Sequence, residues 1–381
     1  MALDQGIESL TEKARSTRAS LDDVSRTRAL KAAQALVQTL TTPREIVTDD
    51  LGMRPVIPAC ALMGVQLGVF QTICNSEGGA TTQEIADKSG ASVMVAAGVQ
   101  LFVPSLITKF MTDPAQEVAT RFSELGNTCI GSAPESFRRN GHQFPPSFED
   151  TPFQLGFNTK LSLCDWLGEI PSVAKEFHQF MAYQQASLPN WVDWFDVEGA
   201  ILDGYDQGQP EITLIVDVRG GEGQQLHAFT LKFPPSTIRG RRIVQDRPNV
   251  IANIAQPASE TGIQPMGHDF FTPQPVKGAR VYYMHWIIHS WSDEQARAIL
   301  THVAEAMEPG YSRLVINDRI VPDTGCDFTT AALGVIMMFQ CAAVERTEGH
   351  LRELLASVPG FKDFEFHHPP ASAGGIIVVT K

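Results

Sequence analysis

Positive charge and long apolar runs are both scarce in this sequence. Lysine and arginine together number 30, against 43 aspartates and glutamates, which gives a net charge of −13. A surface of this sign repels polyanions, so we expect no nucleic-acid partner. No run of about 18 apolar residues occurs, and the first residues (Met-Ala-Leu-Asp-Gln) lack the basic and apolar regions of a secretion signal. The sequence therefore predicts no membrane partner and a cytoplasmic location.

Paired cysteines are also missing. The six cysteines are scattered along the chain, and none forms a Cys-x-x-Cys pair. This spacing argues against a disulfide framework and against a zinc site, so we predict buried free thiols and no bound metal. The composition is otherwise that of an ordinary globular protein, 43% hydrophobic and 19% charged over 381 residues. That length leaves room for two domains.

The central stretch of the chain covers residues 212–223 and reads Ile-Thr-Leu-Ile-Val-Asp-Val-Arg-Gly-Gly-Glu-Gly. Its apolar, largely β-branched first half is typical of a strand buried on both faces of a parallel sheet. The glycines Gly220, Gly221 and Gly223 then allow the backbone to approach a bound molecule closely. A helix is predicted to begin at Gln224, with its N-terminus facing the same crevice. Taken alone, this strand–turn–helix pattern is only a weak signal for a nucleotide site.

Three later segments strengthen that signal. A second apolar step ends on Asp246, roughly 20 residues beyond the glycines, where dinucleotide folds place an acid that binds ribose hydroxyls. The segment Gly-His-Asp-Phe-Phe puts Asp269 at the end of a third connection. An apolar strand over 281–288 then stops at His289 and passes into a helix start.

Strands and helices alternate in the second half of the chain. Apolar strands separated by helices are predicted over 212–218, 241–245, 281–288, 313–317, 363–366 and 374–380. This alternation predicts a Rossmann-like, doubly wound α/β sheet. The first half is predicted to be mainly helical, with an amphipathic region over 1–48, an apolar helix over 55–74 and a helix-turn-helix over 81–102. Residues 132–150, rich in proline and glycine, are predicted to form the loop that joins the halves.

The helix-turn-helix raises a different class of function, that of a DNA-binding regulator. Such a protein would carry lysine and arginine on its recognition helix. Between residues 81 and 110 the only basic residues are Lys88 and Lys109, against Glu84 and Asp87. Because the motif has no basic face, we predict that its role is structural.

The ordered set of motifs resembles the plant and fungal O-methyltransferase family, which uses S-adenosylmethionine (SAM). The resemblance covers nearly the whole chain. It implies a helical, winged-helix-like dimerisation domain over 1–135 and a SAM-methyltransferase-like catalytic domain over 136–381, with a helical substrate wall over 151–200. It also implies a small-molecule substrate and a homodimer formed through the N-terminal helices. Packing of those helices within one chain is the alternative.

The resemblance also implies a set of site residues. His289 matches the family's general base, and Asp318 and Glu345 match the acids that orient it; a carboxylate on one ring nitrogen fixes the tautomer that leaves the other nitrogen free. His285 is a fourth predicted catalytic residue. The predicted cofactor-binding residues are Asp217, Arg219, Gly221, Gly223, Asp246, Asp269 and Phe270. The predicted substrate-binding residues are His142, Phe153, Phe157, Trp166, Met181 and Met338. This largely apolar set suits a flat, apolar small molecule. Core packing is the alternative for its aromatic members.

Three positions depart from the family pattern. The family's first motif reads Asp-x-Gly-Gly-Gly-x-Gly, and here Arg219 replaces the first glycine. An arginine needs room and restricts the backbone angles of the turn. It would obstruct SAM, hold the SAM carboxylate as a bidentate partner, or swing into solvent. The other departures are His285, where plant members have lysine, and Ser290, where the family commonly has aspartate.

These departures resemble fungal members of the fold that catalyse pericyclic reactions or dehydrations of polyketide-like intermediates. The first hypothesis is therefore an enzyme of secondary metabolism that cyclises or dehydrates a small aromatic or polyketide-derived substrate without methylating it. His289 and His285 would polarise an oxygen of that substrate. The alternative is a SAM-dependent O-methyltransferase that uses His289 as its general base.

Overall fold

The computed structural model describes residues 3–48, 54–91, 101–103, 105–186, 189–206, 208, 211–252, 254, 262–326, 328–369 and 374–381. The chain divides into two compact units, one formed by Met1–Thr72 and Ala80–Phe102 and the other by Ile73–Gly79 and Val103–Lys381. The division falls before the predicted domain boundary at 135. A long helix (Pro114–Arg139) crosses that boundary and packs against helices further along the second unit.

The first unit is mainly helical. Its elements are α1 (Leu3–Thr17), α2 (Asp23–Leu40), α3 (Pro43–Glu45), α4 (Val56–Gln66), α5 (Val69–Asn75, which ends in the second unit), β1 (Ala80–Thr81), α6 (Thr82–Ser89) and β2 (Leu101–Phe102). The apolar helix predicted over 55–74 is broken at Gly68, whose left-handed backbone (φ +63°) separates α4 from α5. A capping box joins Thr81 and Glu84, as the sequence indicates. The helix predicted over 93–102 lies mostly outside the described residues, and its last two residues instead form β2, which pairs with β1.

The second unit contains the main sheet. Its strands are β3 (Thr213–Val218), β4 (Arg241–Asp246), β5 (Ile263–Gly267), β6 (Val281–His285), β7 (Arg313–Arg319), β8 (Phe364–His367) and β9 (Gly374–Thr380). Its helices are α7 (Leu106–Phe110), α8 (Pro114–Arg139), α9 (Pro152–Phe157), α10 (Leu163–Glu169), α11 (Pro171–Ala186), α12 (Trp191–Trp194), α13 (Gln224–Lys232), α14 (Pro248–Ile251), α15 (Asp293–Ala306), α16 (Phe328–Cys341) and α17 (Glu348–Ala356).

The strands form one seven-stranded sheet in the order β5-β4-β3-β6-β7-β9-β8. The first five are parallel, and β9 runs antiparallel to both of its neighbours. The predicted α/β sheet is confirmed. The chain leaves β3 toward β4 and returns to the other side at β6, so the carboxyl ends of β3 and β6 border the crevice where such sheets bind ligands.

Both faces of the sheet are covered by helices. One core combines residues of α15 and α17 with Val216, Met284 and Ile316 from the central strands. The other combines α12 and α13 with Ile215, Tyr283 and Val315. Neighbouring residues of each strand therefore enter opposite cores, which explains the nearly continuous apolar runs of the sequence.

Three sequence predictions about this unit need correction. Residues 132–139 are not loop but the end of α8, which keeps Pro134 inside it because tertiary packing of its apolar face outweighs the local proline signal. The strand predicted over 281–288 ends at His285, since Trp286 has a left-handed backbone (φ +53°). The strand β5 was missed because it is short and contains a proline, which an edge strand tolerates.

In the described part of the chain, no helix taken singly combines the length and the apolar composition needed to cross a bilayer; the bent pair α4–α5 passes that test only when its two helices are joined.

Candidate active site

His289 lies in a short 3₁₀ turn (Ile288–Ser290) between β6 and α15. Its Nδ1 lies 2.9 Å from Oε1 of Glu345, and its backbone N–H donates to Oδ2 of Asp318 at 3.2 Å. The other oxygen of Asp318 is 4.0 Å from Nδ1. Asp318 comes from β7, and Glu345 from the connection between α16 and α17. The fold therefore brings together three of the four predicted catalytic side chains.

The two acids control the charge of the His289 ring. Burial alone would lower the pKa of His289, because it disfavours the protonated ring. The carboxylates of Asp318 and Glu345 outweigh burial and raise this pKa above its ordinary value of 6.5. Since the Glu345 carboxylate accepts a hydrogen bond from Nδ1–H, Nε2 is the ring nitrogen left to take a proton. Burial also raises the pKa of Asp318, against the opposing effect of the His289 charge.

The same three side chains have the spacing of a possible cation site. Their ligand atoms all lie within 4.8 Å of one another. However, Nδ1 of His289 and Oε1 of Glu345 are already paired with each other. That pairing is the arrangement of an oriented base, and it favours proton transfer over metal binding.

Arg346 holds the His289 turn in place, although the sequence analysis did not single it out. Its buried guanidinium donates to the carbonyl oxygens of Ile288 and Trp291, both at 2.7 Å, and to Oδ1 of Asp293 at 2.9 Å. Two carbonyls on either side of His289 are thus fixed by one side chain. The only sequence signal was the position of Arg346 directly after the predicted acid.

The turn after β3 has the left-handed backbone that a glycine-rich loop provides. The φ angle is +58° at Arg219 and +59° at Gly221. Asp246, the predicted ribose-binding acid, accepts a hydrogen bond from the N–H of Gly221 at 3.0 Å. At Gly220 an added Cβ would lie 2.4 Å from Cγ of Asp217, so only glycine fits beside that acid. The glycines therefore allow the turn to pack closely against Asp217 and Asp246.

Asp217 is a buried acid without a protein partner. Neither carboxylate oxygen has a hydrogen-bond partner among the described residues. Burial, and then the charge of Asp246, raise the pKa of Asp217 to about 7. A buried carboxylate is costly unless it is paired. Because α13 begins directly after Gly223 (φ +85°), this acid lies beside a glycine turn and a helix start, and it fits a cationic group such as the ammonium of SAM.

The Arg219 side chain does not swing into solvent. It is partly buried, with its guanidinium carbon 5.3 Å from the centre of the Phe270 ring and one terminal nitrogen 3.9 Å from Sγ of Cys164. Asp269, next to Phe270, is exposed and accepts the N–H of Phe271 at 3.0 Å. Arg219 adopts the left-handed backbone angles that are typical of glycine. For a residue with a side chain this conformation costs about 1 kcal/mol.

The predicted aromatic wall is partly core. The rings of Phe153, Phe157 and Trp166 contact one another, with centroids 4.9 to 5.5 Å apart. Phe153 is fully buried among Leu125 and other apolar side chains, so it packs in the core and does not line a cavity. Phe157, Trp166 and Met181 are half-buried. Their predicted contact with substrate stays a prediction.

An open apolar cavity of about 560 Å³ lies between α8 and α16. Its lining residues are Ile130, Ala133, Pro134, Phe137, Arg138, His142 and Phe339. His142 is thus at a cavity, and its predicted contact with substrate stays a prediction. Phe339 was missed, although it follows the predicted Met338, which is half-buried on the same helix. A volume of this size is suited to a small aromatic molecule.

His285 is within electrostatic reach of His289, but it takes no part in the described contacts of His289 with Asp318 and Glu345. It borders a separate cavity of about 50 Å³ together with Trp191, Trp286 and Asn317, and its ring stacks on Trp286. Burial, followed by the charge of His289, lowers the pKa of His285 to about 3. The ring is therefore neutral at cellular pH and cannot donate a proton as an imidazolium. The predicted action of both histidines on one substrate oxygen stays a prediction.

Comparison with known proteins places this geometry in a family. Residues 192–362 match the O-methyltransferase domain family. The methyltransferase cfoC of Aspergillus candidus is 34% identical over 351 residues, which cover 88% of this chain and 86% of that protein. The structure of LepI in complex with SAM matches with a TM-score of 0.85 and 24% identity over 100% of both chains. A structure described as a pericyclic reaction enzyme matches with the same TM-score and identity over 99% of both chains. At this identity the two structures show the fold alone. The relative and the domain match together show that the chain belongs to the O-methyltransferase family.

Proposed function

We propose that this protein transfers a methyl group from SAM to a hydroxyl oxygen of a small aromatic or polyketide-derived molecule of secondary metabolism. The observation that carries the proposal is the 2.9 Å contact between Nδ1 of His289 and Oε1 of Glu345, which leaves Nε2 free as a base. The similarity to the methyltransferase cfoC supports the type of reaction.

The proton chemistry follows from the His289 group. As the acceptor oxygen forms its new bond, its hydroxyl proton passes to Nε2 of His289. The imidazolium that results is stabilised by the carboxylates of Glu345 and Asp318, and the proton later passes to solvent. When bound, SAM supplies the methyl group, which leaves its sulfur for the acceptor oxygen. Arg346 keeps the turn that carries His289 in position.

The cofactor would be held at the carboxyl edge of β3 and β4. In this proposal Asp217 would accept hydrogen bonds from the ammonium of SAM, and Asp246 would accept them from its ribose. Gly220 and Gly221 allow the close approach that this requires. Asp269 and Phe270 border the same edge. LepI, with the same fold, binds SAM.

Arg219 favours a second candidate, cyclisation or dehydration without methyl transfer. A cation beside the glycine turn would stabilise an oxyanion in such a reaction, and His289 would supply acid–base chemistry. From the sequence alone this candidate ranks first. We now rank it second, because Arg219 adopts the left-handed angles of a glycine and the turn keeps its hydrogen bond to Asp246.

The apolar cavity between α8 and α16 is our candidate for the acceptor, with Phe339 and His142 on its wall. We also propose that α1 and α2, in which no residue is buried, pack against a second copy of the chain. A homodimer would cover exposed apolar side chains of α2 such as Leu30, Val37 and Leu40.

Incubation with labelled SAM and a panel of phenols tests the proposed function. We expect label transfer to at least one phenol, and a roughly 10²- to 10⁴-fold loss in His289→Ala, the range expected for a general base. SAM affinity, measured by calorimetry, should be unchanged in that variant. His368→Ala, which removes an exposed histidine, is the matched control.

Two results would count against methyl transfer. Absence of SAM binding would remove it altogether. SAM binding without label transfer, together with conversion of a polyketide-derived substrate, would establish the second candidate in its place.

A further inference from the structure

Arg219 is a cation that lacks a counter-charge. No carboxylate within ion-pair distance of its guanidinium is found among the described residues, although the chain has 43 acidic residues against 30 basic ones. The described contacts of the guanidinium are instead with the Phe270 ring and with Sγ of Cys164.

The protein contacts of this guanidinium are weak. Its central carbon lies 5.3 Å from the centre of the Phe270 ring, and one terminal nitrogen approaches Sγ of Cys164 at 3.9 Å. A guanidinium has five N–H donors in a planar fork. A cation–π contact of this kind does not use up the N–H donors, which stay available to a ligand. A partly buried arginine with free edge donors is suited to a planar anion.

The Cys341 thiol does not supply that anion. Cys341, at the end of α16, is within the electrostatic reach of Arg219. Burial nevertheless raises the pKa of the Cys341 thiol, and the Arg219 charge only partly opposes this effect. Cys341 is therefore a neutral thiol at cellular pH. The two described contacts of the guanidinium, the Phe270 ring and Sγ of Cys164, include no carboxylate.

We propose that Arg219 is a carboxylate-binding residue, whose edge donors form a bidentate pair with a ligand carboxylate. Two ligands of the proposed reaction could present this group, namely SAM through its amino-acid carboxylate and an acceptor that carries a free acid. The first source gains support from Asp217, because an unpaired acid and an unpaired guanidinium on one turn complement a zwitterion. This inference rests on the proposed function, since it concerns ligands of the same site.

The position of the residue makes it a determinant of specificity. A glycine at 219 would allow the same turn, since the φ of +58° costs glycine little. The arginine keeps a strained backbone angle and adds nothing to the packing that an apolar residue could not supply. If Arg219 selects a ligand that has a carboxylate, the strained backbone at this position is retained for ligand binding.

Calorimetry with two ligand pairs tests the proposal on the full chain. The first pair is S-adenosylhomocysteine and its analogue without the α-carboxylate, S-adenosyl-3-thiopropylamine. The second pair is 2,4-dihydroxy-6-methylbenzoate and its methyl ester. Arg219→Gly and Arg219→Gln both remove the charge, and Arg219→Gly also relieves the backbone angle. Arg241→Gln, at the amino end of β4, is the charge-matched control.

We expect the wild-type protein to prefer the carboxylate in at least one pair, and both Arg219 variants to lose about 10- to 100-fold in affinity for that ligand only. A loss in the first pair identifies the SAM carboxylate, and a loss in the second pair identifies an acid on the acceptor. Equal binding within both pairs, or equal losses for acid and acid-free ligands, would overturn the proposal. These are binding measurements, so failure of methyl transfer leaves them interpretable.

Discussion

The charge of Glu345 determines the pH range in which His289 is a base. His289 must be neutral to accept a proton, so the rate should rise as pH rises through its pKa. That pKa lies above 6.5, because the Asp318 and Glu345 carboxylates outweigh the opposing effect of burial. Each acid thus makes the ring a stronger base while moving its titration toward higher pH.

The substitution Glu345→Gln separates charge from shape at this site. The amide oxygen can still accept from Nδ1–H, but the negative charge is lost. We expect the rising limb of kcat/KM against pH to move to lower pH, because one of the two carboxylates that raise the His289 pKa is gone. We also expect kcat to fall by about 10- to 100-fold, since the imidazolium is less stabilised.

The pH profile of Glu348→Gln provides the control for that substitution. Glu348 is at the start of α17 and pairs with Arg352, away from His289. An acidic limb at the same pH in wild-type protein and Glu345→Gln would show that Glu345 does not act on the titrating group.

At the scale of structural elements, one buried arginine links the turn of His289 to the segment that carries Glu345. Arg346 donates to two carbonyls of the turn and to Asp293 of α15. Asp293 also accepts from Nε2 of His350 in α17 at 2.8 Å. Two consecutive residues therefore contact the turn of His289. Glu345 pairs with the His289 ring, and Arg346 donates to the backbone carbonyls of the turn.

Arg346→Lys should change the position of His289 more than the stability of the fold. Lysine keeps the charge beside Asp293 but cannot reach both carbonyls in fork geometry. We expect kcat to fall about tenfold with SAM affinity unchanged. In Arg346→Ala both carbonyls lose their donor, and the free energy of unfolding should fall by roughly 3 to 5 kcal/mol in urea denaturation.

Arg352→Ala is the control for this element, because Arg352 forms an exposed pair with Glu348 that should contribute about 0.5 kcal/mol. If Arg346→Lys retained full kcat at every pH, Arg346 would be a stabilising residue with no role in positioning the base.

At the scale of the whole molecule, the first two helices carry apolar side chains that the single chain does not bury. Leu30, Val37 and Leu40 of α2 are each at least half exposed. Apolar residues at such spacings form one stripe along a helix. An apolar surface of this kind on an otherwise acidic protein indicates a partner, and the proposed partner is a second copy.

Analytical ultracentrifugation should show two subunits per particle. Introducing charge into the stripe with Leu30→Glu and Val37→Glu should shift the protein toward single chains, because burial of a carboxylate in an apolar interface is unfavourable. Ala35→Glu, on the opposite face of the same helix, should leave the dimer intact. A wild-type protein that sediments as a monomer at high concentration would refute the dimer.

Most of the main sheet could be predicted from local sequence patterns. The strands β3, β4, β7, β8 and β9 follow the predicted ranges within about two residues. For the parallel strands β3, β4 and β7 the reason is that strands covered on both faces have few polar positions. The glycines after β3 and the acid after β4 mark the crevice. Tertiary packing decided the exceptions: α8 continues through Pro134 on a buried face, and β5 pairs at the sheet edge despite its proline.

The sequence by itself determined the family and the sheet, because apolar strands and the motifs that follow them are local patterns, and the resemblance to the family singled out His289, Asp318 and Glu345. Only the tertiary structure decided which side chains meet. It places His285 against Trp286 beside a small cavity, while His289 contacts Glu345 and Asp318. It also directs Arg219 toward Phe270, and it brings Arg346 to the catalytic turn. These contacts join residues far apart in the chain, and no local pattern encodes such distances.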